Sequence, residues 1–390
     1  MAYKALIIHA LFDVPGGAEL FALRLTQALI EQGFDVEVLT ATPVDPRKLS
    51  EIFGEVKLPR IKVKRVKEAE YLSKLMPGRL VRLRRLVVYR EYESLMESAR
   101  REYDIVFDTQ SNLPTPVDIS YIHFPAVLEL TGVERRGIQW AVYNQLIKYL
   151  AGRFKTPRSG RVLTNSTWTA HMVYTAHHVY PDILYPPVDI EYFNIVSQND
   201  NREKLVVTVS RFTPEKKLDK IIKVAKELPD YTFILVGSTG PGSEKIIESL
   251  KALKERYRVY NAELKPNLPR GELRELMGKA IFYLHPEFTE HFGISVIEAM
   301  SAGCIPIIYR DGGAWHDVVS QVSNLLGYKG TEEIPRIIKS LEESKDLYTK
   351  LRGRAIEISK AFNYENFKKN IYNRISYVLK IKKLVNSFIS

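Results

Sequence analysis

Cysteine is almost absent from this chain, with Cys304 as the single one among 390 residues. No intrachain disulfide can form, so a reducing compartment such as the cytosol is the simplest expectation. No window approaches 18 uninterrupted apolar residues, and the sequence therefore predicts no membrane-spanning helix. Its first residues also lack the long apolar region and the small-residue cleavage site of a secretory signal peptide. We expect a cytoplasmic protein, for which peripheral attachment at the inner face of a membrane remains open.

Several common signatures of binding and catalysis are missing as well. The sequence has no Walker phosphate loop and no G-x-G-x-x-G fingerprint, so a nicotinamide-dependent function lacks its main support. Its eight histidines show no metal-ligand spacing, and no metal site is predicted. Repeats of short period and low-complexity segments are absent, and 45% hydrophobic with 26% charged residues is an ordinary globular composition.

Charge is where the composition is unusual, with a net charge of +11 at pH 7. Most of the excess lies between Lys57 and Arg90, where twelve Lys and Arg face only Glu68 and Glu70. A basic balance attracts polyanions, which here means nucleic acid, phosphorylated small molecules or an anionic membrane surface. Because the rest of the chain is close to neutral, the excess forms a local patch.

Within that patch, residues 78–90 show a partly amphipathic helical pattern. Leu80, Leu83 and Val87 share one helical face. We expect four arginines of this segment to lie on anionic lipid headgroups, namely Arg79, Arg82, Arg84 and Arg85. The alternative is a solvated helix held by salt bridges, and the sequence favours neither.

Strand-like and helix-like segments alternate along the chain in two successive halves. A buried strand at 5–8, a helix at 18–31 and a strand at 36–40 form a βαβ unit, which implies a parallel sheet. After a polar segment centred on 197–201, the alternation restarts with a strand at 205–209. The pattern predicts an α/β protein with two Rossmann-like, doubly wound domains. Ligands of such sheets bind at the carboxyl ends of strands, here in a central cleft between the domains.

The domain boundaries follow from this alternation. We expect an N-terminal domain over residues 1–190 and a C-terminal domain over 203–365, joined by the polar segment. Residues 366–390 are predicted to form one long helix with no strand after it.

The most informative segment is 287–303, which follows a predicted strand and opens a helix. Backbone N–H groups in the loop Phe292-Gly293-Ile294 stand at the helix N-terminus, where the helix dipole suits a diphosphate. Glycine in this loop lets a ligand approach the backbone closely. Glu290 and Glu298 flank the loop and can accept hydrogen bonds from hydroxyl groups on either side of the phosphates.

A pair of glutamates also invites comparison with a glycosidase. The carboxylates of glycosidases stand roughly 5–9.5 Å apart across one bond. Eight residues of helix would separate Glu290 from Glu298 by about 12 Å. The adjoining phosphate-type loop therefore favours nucleotide binding over glycoside hydrolysis.

Two basic residues follow the strand at 205–209. Arg211 and Lys216 can converge on one diphosphate, the arginine through its planar fork and the lysine as a point charge. Lys217 stands beside Lys216 and leaves the assignment of the second cation ambiguous. Taken alone the motif is weak, since basic residues near a loop are usually solvated.

The N-terminal half offers two further candidates. Gly16 and Gly17, between the first strand and the first helix, permit a ligand to approach backbone amides, although Gly-Gly before a helix is more often plain turn chemistry. His123 directly follows the predicted strand at 119–122. A lone histidine is more often structural, but its place at a strand end favours a functional role.

Together these motifs resemble those of the family 4 retaining glycosyltransferases, which have the two-lobed GT-B fold. The segment from Glu290 to Glu298 is similar to their E-x7-E signature, and looks especially like the mannosyltransferases that extend lipid-linked oligosaccharides. The segment 210–216 resembles their G-R-x-x-x-x-K element with Ser210 in place of glycine. Residues 311–316 resemble a loop that normally reads Gly-Gly-Pro, with Ala314 in place of proline.

The resemblance implies a hexosyltransferase that moves mannose or glucose, with retention, from a GDP- or UDP-hexose to a glycan acceptor, in particular a lipid-linked one. Glu290 would contact the donor sugar and Glu298 the ribose. Arg211 and Lys216 would stabilise the leaving diphosphate. An acceptor-binding N-terminal domain would present Gly16, Gly17 and His123 to the reaction, and the final helix would return to that domain. The Asp-x-Asp triplet of the other common glycosyltransferase fold is absent, so neither a metal nor a cofactor is expected.

Two alternatives remain open at this stage. One is a binding protein that uses the basic patch on nucleic acid or a membrane, although no recognised nucleic-acid module is present and a nucleic-acid partner is not expected. The other is an epimerase or phosphorylase of the GT-B fold, which product analysis would distinguish from a transferase.

Overall fold

The computed structural model describes residues 2–12, 16–47, 49, 59–75, 81–128, 145–146, 148–149, 160–240 and 242–389. Its contacts divide the chain into two compact units. The first unit comprises Met1–Pro187 together with Glu365–Ser390, and the second comprises Val188–Tyr364. Each unit is built around its own parallel sheet.

The sheet of the first unit has seven strands in the order β3-β2-β1-β4-β5-β6-β7, and all of its pairings are parallel. Ile7 on the interior strand β1 lies opposite Val38 on one side and Phe107 on the other. The strands are β1 (Lys4–Ile8), β2 (Asp35–Thr40), β3 (Arg60–Val63), β4 (Ile105–Asp108), β5 (Ile119–Ile122), β6 (Arg161–Thr164) and β7 (Asp182–Ile183).

Helices connect these strands and cover the sheet. Buried residues of β1 and β4, such as Leu6 and Val106, share one apolar core with Leu86 and Tyr89 of the third helix. The described helices are α1 (Gly17–Glu31), α2 (Lys67–Leu75), α3 (Val81–Glu91), α4 (Glu93–Glu102) and α5 (Thr167–His177). Strand followed by crossover helix and parallel strand is the expected consequence of the predicted alternation.

The second unit repeats this architecture with a six-stranded parallel sheet in the order β10-β9-β8-β11-β12-β13. Its strands are β8 (Glu203–Val209), β9 (Thr232–Gly237), β10 (Ala262–Pro266), β11 (Ala280–Leu284), β12 (Ile305–Tyr309) and β13 (Gly327–Tyr328). Its helices are α6 (Ile190–Asn194), α7 (Asp219–Glu227), α8 (Ser243–Tyr257), α9 (Arg270–Lys279), α10 (Ile294–Ser301), α11 (Ser320–Val322), α12 (Ile334–Glu342) and α13 (Lys345–Ser359). The final helix, α14, spans Tyr364–Ile389.

The structure corrects the predicted linker between 190 and 203. Helix α6 and the following 3-10 turn (Ile195–Gln198) belong to the second unit. Ser301 Oγ donates to the carbonyl of Ile190 at 2.8 Å, and Phe193 is fully buried. These contacts explain why a polar-looking segment is packed, and the second unit accordingly begins at Val188.

Helix α14 makes its contacts with the first unit. Lys368 Nζ lies 3.2 Å from a carboxylate oxygen of Glu31, and Lys382 Nζ lies 3.1 Å from one of Asp118. Phe367 meets Phe21 edge-on, with ring centroids 5.7 Å apart. The chain therefore passes from the first unit to the second and back again.

The expected membrane patch is only partly compatible with the structure. Arg79 lies outside the described residues, and Arg82 and Arg85 are half-buried on α3. Arg84 contradicts the expectation, because it is 7% exposed and its Nε donates to the carbonyl of Ala69 at 3.2 Å.

The apolar face of α3 also points inward, since Leu83 is buried in the core of the unit and Val87 packs against that core. Carboxylates neutralise other parts of the basic segment, because Arg60 and Lys62 pair with Glu37 at 3.2 and 2.6 Å. Within the described ranges we find no helix with the length and apolar character that crossing a bilayer requires.

Candidate functional site

The candidate site of the second unit lies where β11 leads into α10. Gly293 precedes that helix in the left-handed region, at φ +87°. A Cβ added there would stand 2.9 Å from Cβ of Ala314, so both conformation and space call for glycine. The N–H groups of Ile294 and Ser295 in the first helical turn lie before the first intrahelical hydrogen bond and remain available to an anion.

The side chain of Phe292 is buried and meets Phe362 edge-on, at 5.7 Å between centroids. In the predicted loop Phe292-Gly293-Ile294, a ligand can therefore contact the backbone but not the side chain of Phe292.

Glu290 in the loop before α10 forms an ion pair with Lys216. Lys216 Nζ lies 3.0 Å from Glu290 Oε2 and 3.7 Å from the ring centroid of Phe288. The lysine is buried, with 8% of its surface exposed. Burial alone raises the pKa of Glu290, but the charge of Lys216 and the close polar contact with the neighbouring His285 outweigh it and hold that pKa well below its usual value. Glu290 is therefore a carboxylate at neutral pH, able to accept hydrogen bonds but not to donate them.

Backbone packing fixes the position of Glu290. Gly312 forms an isolated parallel bridge with it, at φ +90°. A Cβ on Gly312 would lie 2.3 Å from the Glu290 carbonyl oxygen, which no side chain can satisfy. The N–H of Ala314 donates to the same carbonyl at 3.2 Å. Backbone contacts from the Gly-Gly loop at 311–314 thus hold the segment that carries the Glu290 carboxylate in place.

The structure resolves which lysine of the 210–217 motif enters the site. Lys217, in the left-handed region at φ +47°, turns away and lies 3.4 Å from Glu287. Lys216 is the one that reaches Glu290. Arg211 is exposed and has no charged partner among the described residues, so its guanidinium remains available to a ligand.

Glu298, inside α10, belongs to a second charged cluster of the same unit. Its carboxylate lies 3.8 Å from Arg270 Nη2, whereas Asp189 holds the same guanidinium nitrogen at 2.6 Å. Burial raises the pKa of Glu298 to about 7, although Arg270 opposes that rise. The guanidinium also lies 4.9 Å from the ring centroid of Tyr192. Glu298 is consequently a carboxyl group whose charge changes near neutral pH.

Sequence reasoning missed two residues of these clusters, Arg270 and His285. His285 Nε2 lies 3.3 Å from Glu290 Oε2, and the residue directly follows β11. A histidine at a strand end was the signal that could have found it, as it did for His123. Arg270 gives no such signal, because only folding brings the start of α9 to Glu298.

The candidate residues of the first unit lie at the start of α1 and at the end of β5. Gly16 caps α1, and its carbonyl accepts from the N–H of Leu20 at 3.0 Å. Gly17 is the first residue of that helix. Next to them Glu19 is buried, with Oε1 accepting from Gln110 Nε2 at 3.0 Å. A Cβ on Gly16 would stand 3.2 Å from Glu19 Oε2, so this loop carries a carboxylate beside its amides.

Three hydrogen bonds hold His123 at the end of β5, two through its backbone and one through its ring. Its N–H donates to Asn112 Oδ1 at 2.9 Å, and its carbonyl accepts from Asn165 Nδ2 at 2.9 Å. Its Nε2 lies 3.1 Å from the carbonyl of Thr109 and must donate there, because a carbonyl oxygen only accepts. Burial lowers the pKa of His123 to about 4, so the ring is neutral at pH 7 and Nδ1 is its acceptor atom.

Structure thus brings Lys216, Glu290 and the start of α10 together in one unit, with Glu298 in an adjoining cluster of that unit. Gly16, Gly17 and His123 lie in the other unit. Among the residues that the structure describes, no group of three His, Cys, Asp or Glu has the arrangement of a metal site.

Two family models match the chain, one over each half. The model described as glycosyltransferase family 4 covers residues 15–192, and the model described as glycosyl transferases group 1 covers residues 190–359. Each match coincides with one strand–helix alternation, and the second contains Arg211, Lys216, Glu290 and Glu298.

Curated relatives include mannosyltransferases. The human GDP-Man:Man(3)GlcNAc(2)-PP-Dol alpha-1,2-mannosyltransferase is 27% identical over 234 residues, which cover 51% of this chain and 47% of that protein. The chain therefore matches about half the length of this relative. The mouse alpha-1,3/1,6-mannosyltransferase ALG2 is 26% identical over 351 residues, covering 80% of this chain and 81% of that protein.

Solved structures share the fold. The crystal structure of Alr3699/HepE from Anabaena, in complex with UDP and glucose, is 18% identical, covers 96% of this chain and 99% of that chain, and has a TM-score of 0.69. This likeness confirms the predicted GT-B class with its two Rossmann-like units. The chain belongs to the glycosyltransferases, with a family 4 domain followed by a group 1 domain.

Proposed function

We propose that this protein transfers a hexose, mannose or glucose, from a GDP- or UDP-hexose to a lipid-linked glycan acceptor, with retention of configuration. The observation that carries the proposal is the Lys216–Glu290 pair beside the first turn of α10. It combines an ionised carboxylate for sugar hydroxyls with cations and amides for phosphate. The names of the curated relatives support mannose as the sugar and a lipid-linked oligosaccharide as the acceptor.

The diphosphate would bind at the start of α10. The N–H groups of Ile294 and Ser295 and the dipole of the helix suit its charge. Arg211, exposed beyond the end of β8, would add a bidentate contact. Lys216 would serve both partners, since its ammonium group has three protons and Glu290 engages only one side of it.

Glu298 would accept hydrogen bonds from the ribose hydroxyls. Its ionised form is the better acceptor, so nucleotide binding would draw the proton from a carboxyl group whose pKa is about 7. Arg270, 3.8 Å away, favours that ionised form.

Negative charge develops on the leaving phosphate oxygen during transfer. Donors already fixed at that position stabilise it without reorganisation, and such stabilisation is usually the largest catalytic contribution. We assign this role to Arg211, Lys216 and the α10 amides, with neither a metal nor a cofactor. Transfer that persists at full rate in EDTA would support the assignment, and loss of activity that Mg²⁺ or Mn²⁺ restores would contradict it.

The first unit would hold the acceptor. His123 presents a neutral ring at the end of β5, and Gly16 and Gly17 present backbone amides at the start of α1. The carboxylate of Glu19 next to these glycines suits sugar hydroxyl groups better than phosphate.

The first experiment is a thermal-shift screen with GDP, UDP and ADP. A nucleotide that binds only the folded state raises the melting temperature. The corresponding NDP-hexoses are then incubated with lipid-linked acceptors, and the anomeric configuration of the product is read by NMR. Conversion of the sugar without any acceptor would identify an epimerase, and a requirement for inorganic phosphate would identify a phosphorylase. A product with inverted anomeric configuration would refute retention.

Glu290→Gln and Lys217→Met are the matched variants for this assay. The first removes the carboxylate charge of the site and should abolish transfer while NDP still binds. The second removes a neighbouring lysine that pairs with Glu287 and should leave transfer intact.

We also propose that the protein is cytoplasmic and meets the inner face of a membrane through the exposed basic side chains of the 57–90 segment. Lys64, Lys67 and Lys74 are exposed there, and Arg82 and Arg85 are half-buried. Co-sedimentation with vesicles containing phosphatidylserine should weaken in a Lys64→Glu/Lys67→Glu/Lys74→Glu variant. Salt-dependent binding to RNA or DNA with none to vesicles would instead favour a nucleic-acid partner.

A further inference from the structure

A buried row of polar side chains connects the first turn of α10 to Glu290. Ser295 Oγ lies 2.9 Å from the hydroxyl of Tyr283, and that hydroxyl lies 3.1 Å from His285 Nδ1. On the other side of the ring, His285 Nε2 lies 3.3 Å from Glu290 Oε2. Tyr283 is fully buried and His285 is 2% exposed.

The Tyr283 hydroxyl has one proton, which the carbonyl of Val209 at 3.3 Å and His285 Nδ1 at 3.1 Å could both accept, and the shorter contact favours donation to Nδ1. Burial lowers the pKa of His285 and raises that of Tyr283, so the ring is neutral and the phenol keeps its proton. If Tyr283 donates to Nδ1, the ring proton sits on Nε2 and points at the Glu290 carboxylate. The opposite tautomer would turn the bare lone pair of Nε2 toward a carboxylate, which is repulsive.

Glu290 Oε2 therefore has two partners within its own unit, Lys216 Nζ at 3.0 Å and His285 Nε2 at 3.3 Å. The second contact is long, and Nε2 makes no aligned hydrogen bond with any described group. Hydrogen bonds of catalytic groups often tighten only when substrate is bound. The other carboxylate oxygen, Oε1, is left to accept from a ligand.

We propose that Tyr283 and His285 are positioning residues for Glu290, holding Oε2 through the Nε2–H tautomer so that Oε1 meets a hydroxyl of the donor hexose. The proposal rests on the proposed function, because it concerns the sugar part of an NDP-hexose. It assigns a role to two residues that neither touch phosphate nor belong to the E-x7-E segment. The proposal predicts that hexose transfer depends on Tyr283 and His285, whereas binding of the nucleoside diphosphate alone does not.

The test compares Tyr283→Phe, His285→Leu and His285→Gln in the full-length protein. Tyr283→Phe and His285→Leu should lower kcat about tenfold while the Kd for the NDP stays within about twofold, since only an interaction with the hexose is lost. Glutamine can place an amide N–H near the Nε2 position, so His285→Gln should recover part of kcat relative to His285→Leu.

Tyr328→Phe is the matched control. Tyr328 is also fully buried, but its hydroxyl donates to the backbone carbonyl of His285, at 2.7 Å, and not to the ring. This variant should lose some thermal stability and keep kcat. Wild-type kcat in folded Tyr283→Phe and His285→Leu would overturn the proposal, and so would an equal loss of kcat in Tyr328→Phe.

The ring tautomer gives a readout that does not depend on turnover. Imidazole ¹⁵N shifts should show His285 protonated at Nε2 in the wild type and a mixture of tautomers in Tyr283→Phe. A wild-type ring protonated at Nδ1 would refute the row. If the wild type transfers no hexose from any NDP-hexose, the proposed function fails, and these ¹⁵N shifts still decide the tautomer.

Discussion

Lys216 and Glu290 are 74 residues apart in sequence, yet their side chains meet at 3.0 Å in one corner of the second unit. Strands β8 and β11 are neighbours in the sheet, so the segments that follow them emerge side by side. The lysine also lies against the ring of Phe288, which shields the pair from water. The ion pair should therefore contribute to the stability of the fold as well as to the charge of the site.

Lys216→Met should therefore destabilise the protein. It leaves a mostly buried carboxylate without its principal cation, which we expect to cost about 2 kcal/mol of unfolding free energy at pH 7, less than for a fully buried pair. Because the pKa of Glu290 is held low in the folded state, this stabilisation exists above the unfolded-state pKa and disappears as pH falls. Urea denaturation at pH 7 and at pH 3.5 should show a difference between variant and wild type that shrinks in acid.

Two companion variants sharpen that measurement. Lys216→Met/Glu290→Gln removes both charges and should recover much of the stability lost in the single variant. Lys217→Met alters an adjacent, half-exposed lysine and should cost less than about 1 kcal/mol. Equal losses in Lys216→Met and Lys217→Met would mean that the buried pair has no special role.

Gly312→Ala should damage transfer more than it damages the fold. The new Cβ would stand 2.3 Å from the Glu290 carbonyl oxygen, so the Glu290 segment must shift. Gly33 supplies the control, because its φ of +83° is similar and nothing lies within 4 Å of an added Cβ. Both variants should lose about 1 kcal/mol from backbone strain, and Gly312→Ala should lose more than Gly33→Ala because the Glu290 backbone must also move. Only Gly312→Ala should reduce kcat by tenfold or more, and an unchanged kcat would show that the bridge does not position Glu290.

Glu298 should make stability depend on pH near neutrality. Its pKa is about 7 in the folded protein, against an ordinary value of 4.5 for a glutamate. Between those values the folded state binds more protons than the unfolded state, so stability falls as pH rises through this window. At about 1.4 kcal/mol per unit, the full effect is on the order of 3 kcal/mol.

Glu298→Gln should abolish this contribution and thus be more stable than wild type at pH 8, with little difference at pH 4.5. Denaturation at a series of pH values measures it, and Glu272→Gln, an exposed carboxylate on α9, should follow the wild-type curve. If the unfolding free energies of Glu298→Gln and the wild type fell equally as pH rose, the Glu298 carboxyl would not be the cause of the pH dependence.

Asn112 should be the most sensitive residue around His123. It has φ +61°, and its Oδ1 accepts from the N–H groups of His123 and Phe124 at 2.9 and 3.4 Å. Asn112→Gly keeps the backbone conformation and loses the acceptor, whereas Asn112→Ala loses both. We expect losses of about 1 and about 2 kcal/mol, and the difference measures strain. Equal losses in urea denaturation would show that the acceptor alone matters.

Local patterns predicted what depends on local sequence. The interior strands are mostly apolar runs, so β1, β5 and β8 were identified within two residues. Gly293, Glu290 and Glu298 around α10 are likewise close together in sequence, at a short and fixed spacing. Four outer strands were not predicted, because they are two residues long or carry charges and proline, as in Arg60–Val63 and Ala262–Pro266.

What the sequence could not predict depends on contacts between distant segments. Arg270, at the start of α9, comes within 3.8 Å of Glu298 only in the folded unit, and Gly312 supports Glu290 through backbone contact. Arg84 has the same identity as the half-buried Arg82 and Arg85, and only the packing of α3 against α2 decides that it is buried. Residue type and spacing alone contain no information about such partners.

Helix α14 has a consequence for biosynthesis. The first unit begins with β1 but obtains its last packing element from residues 365–390, whereas Val188–Tyr364 is continuous in sequence. A ribosome therefore releases every residue of the second unit before the first unit is complete, and Phe21 must wait for Phe367 until the second unit has been synthesised. In this protein the unit that is synthesised first is the one whose packing is finished last.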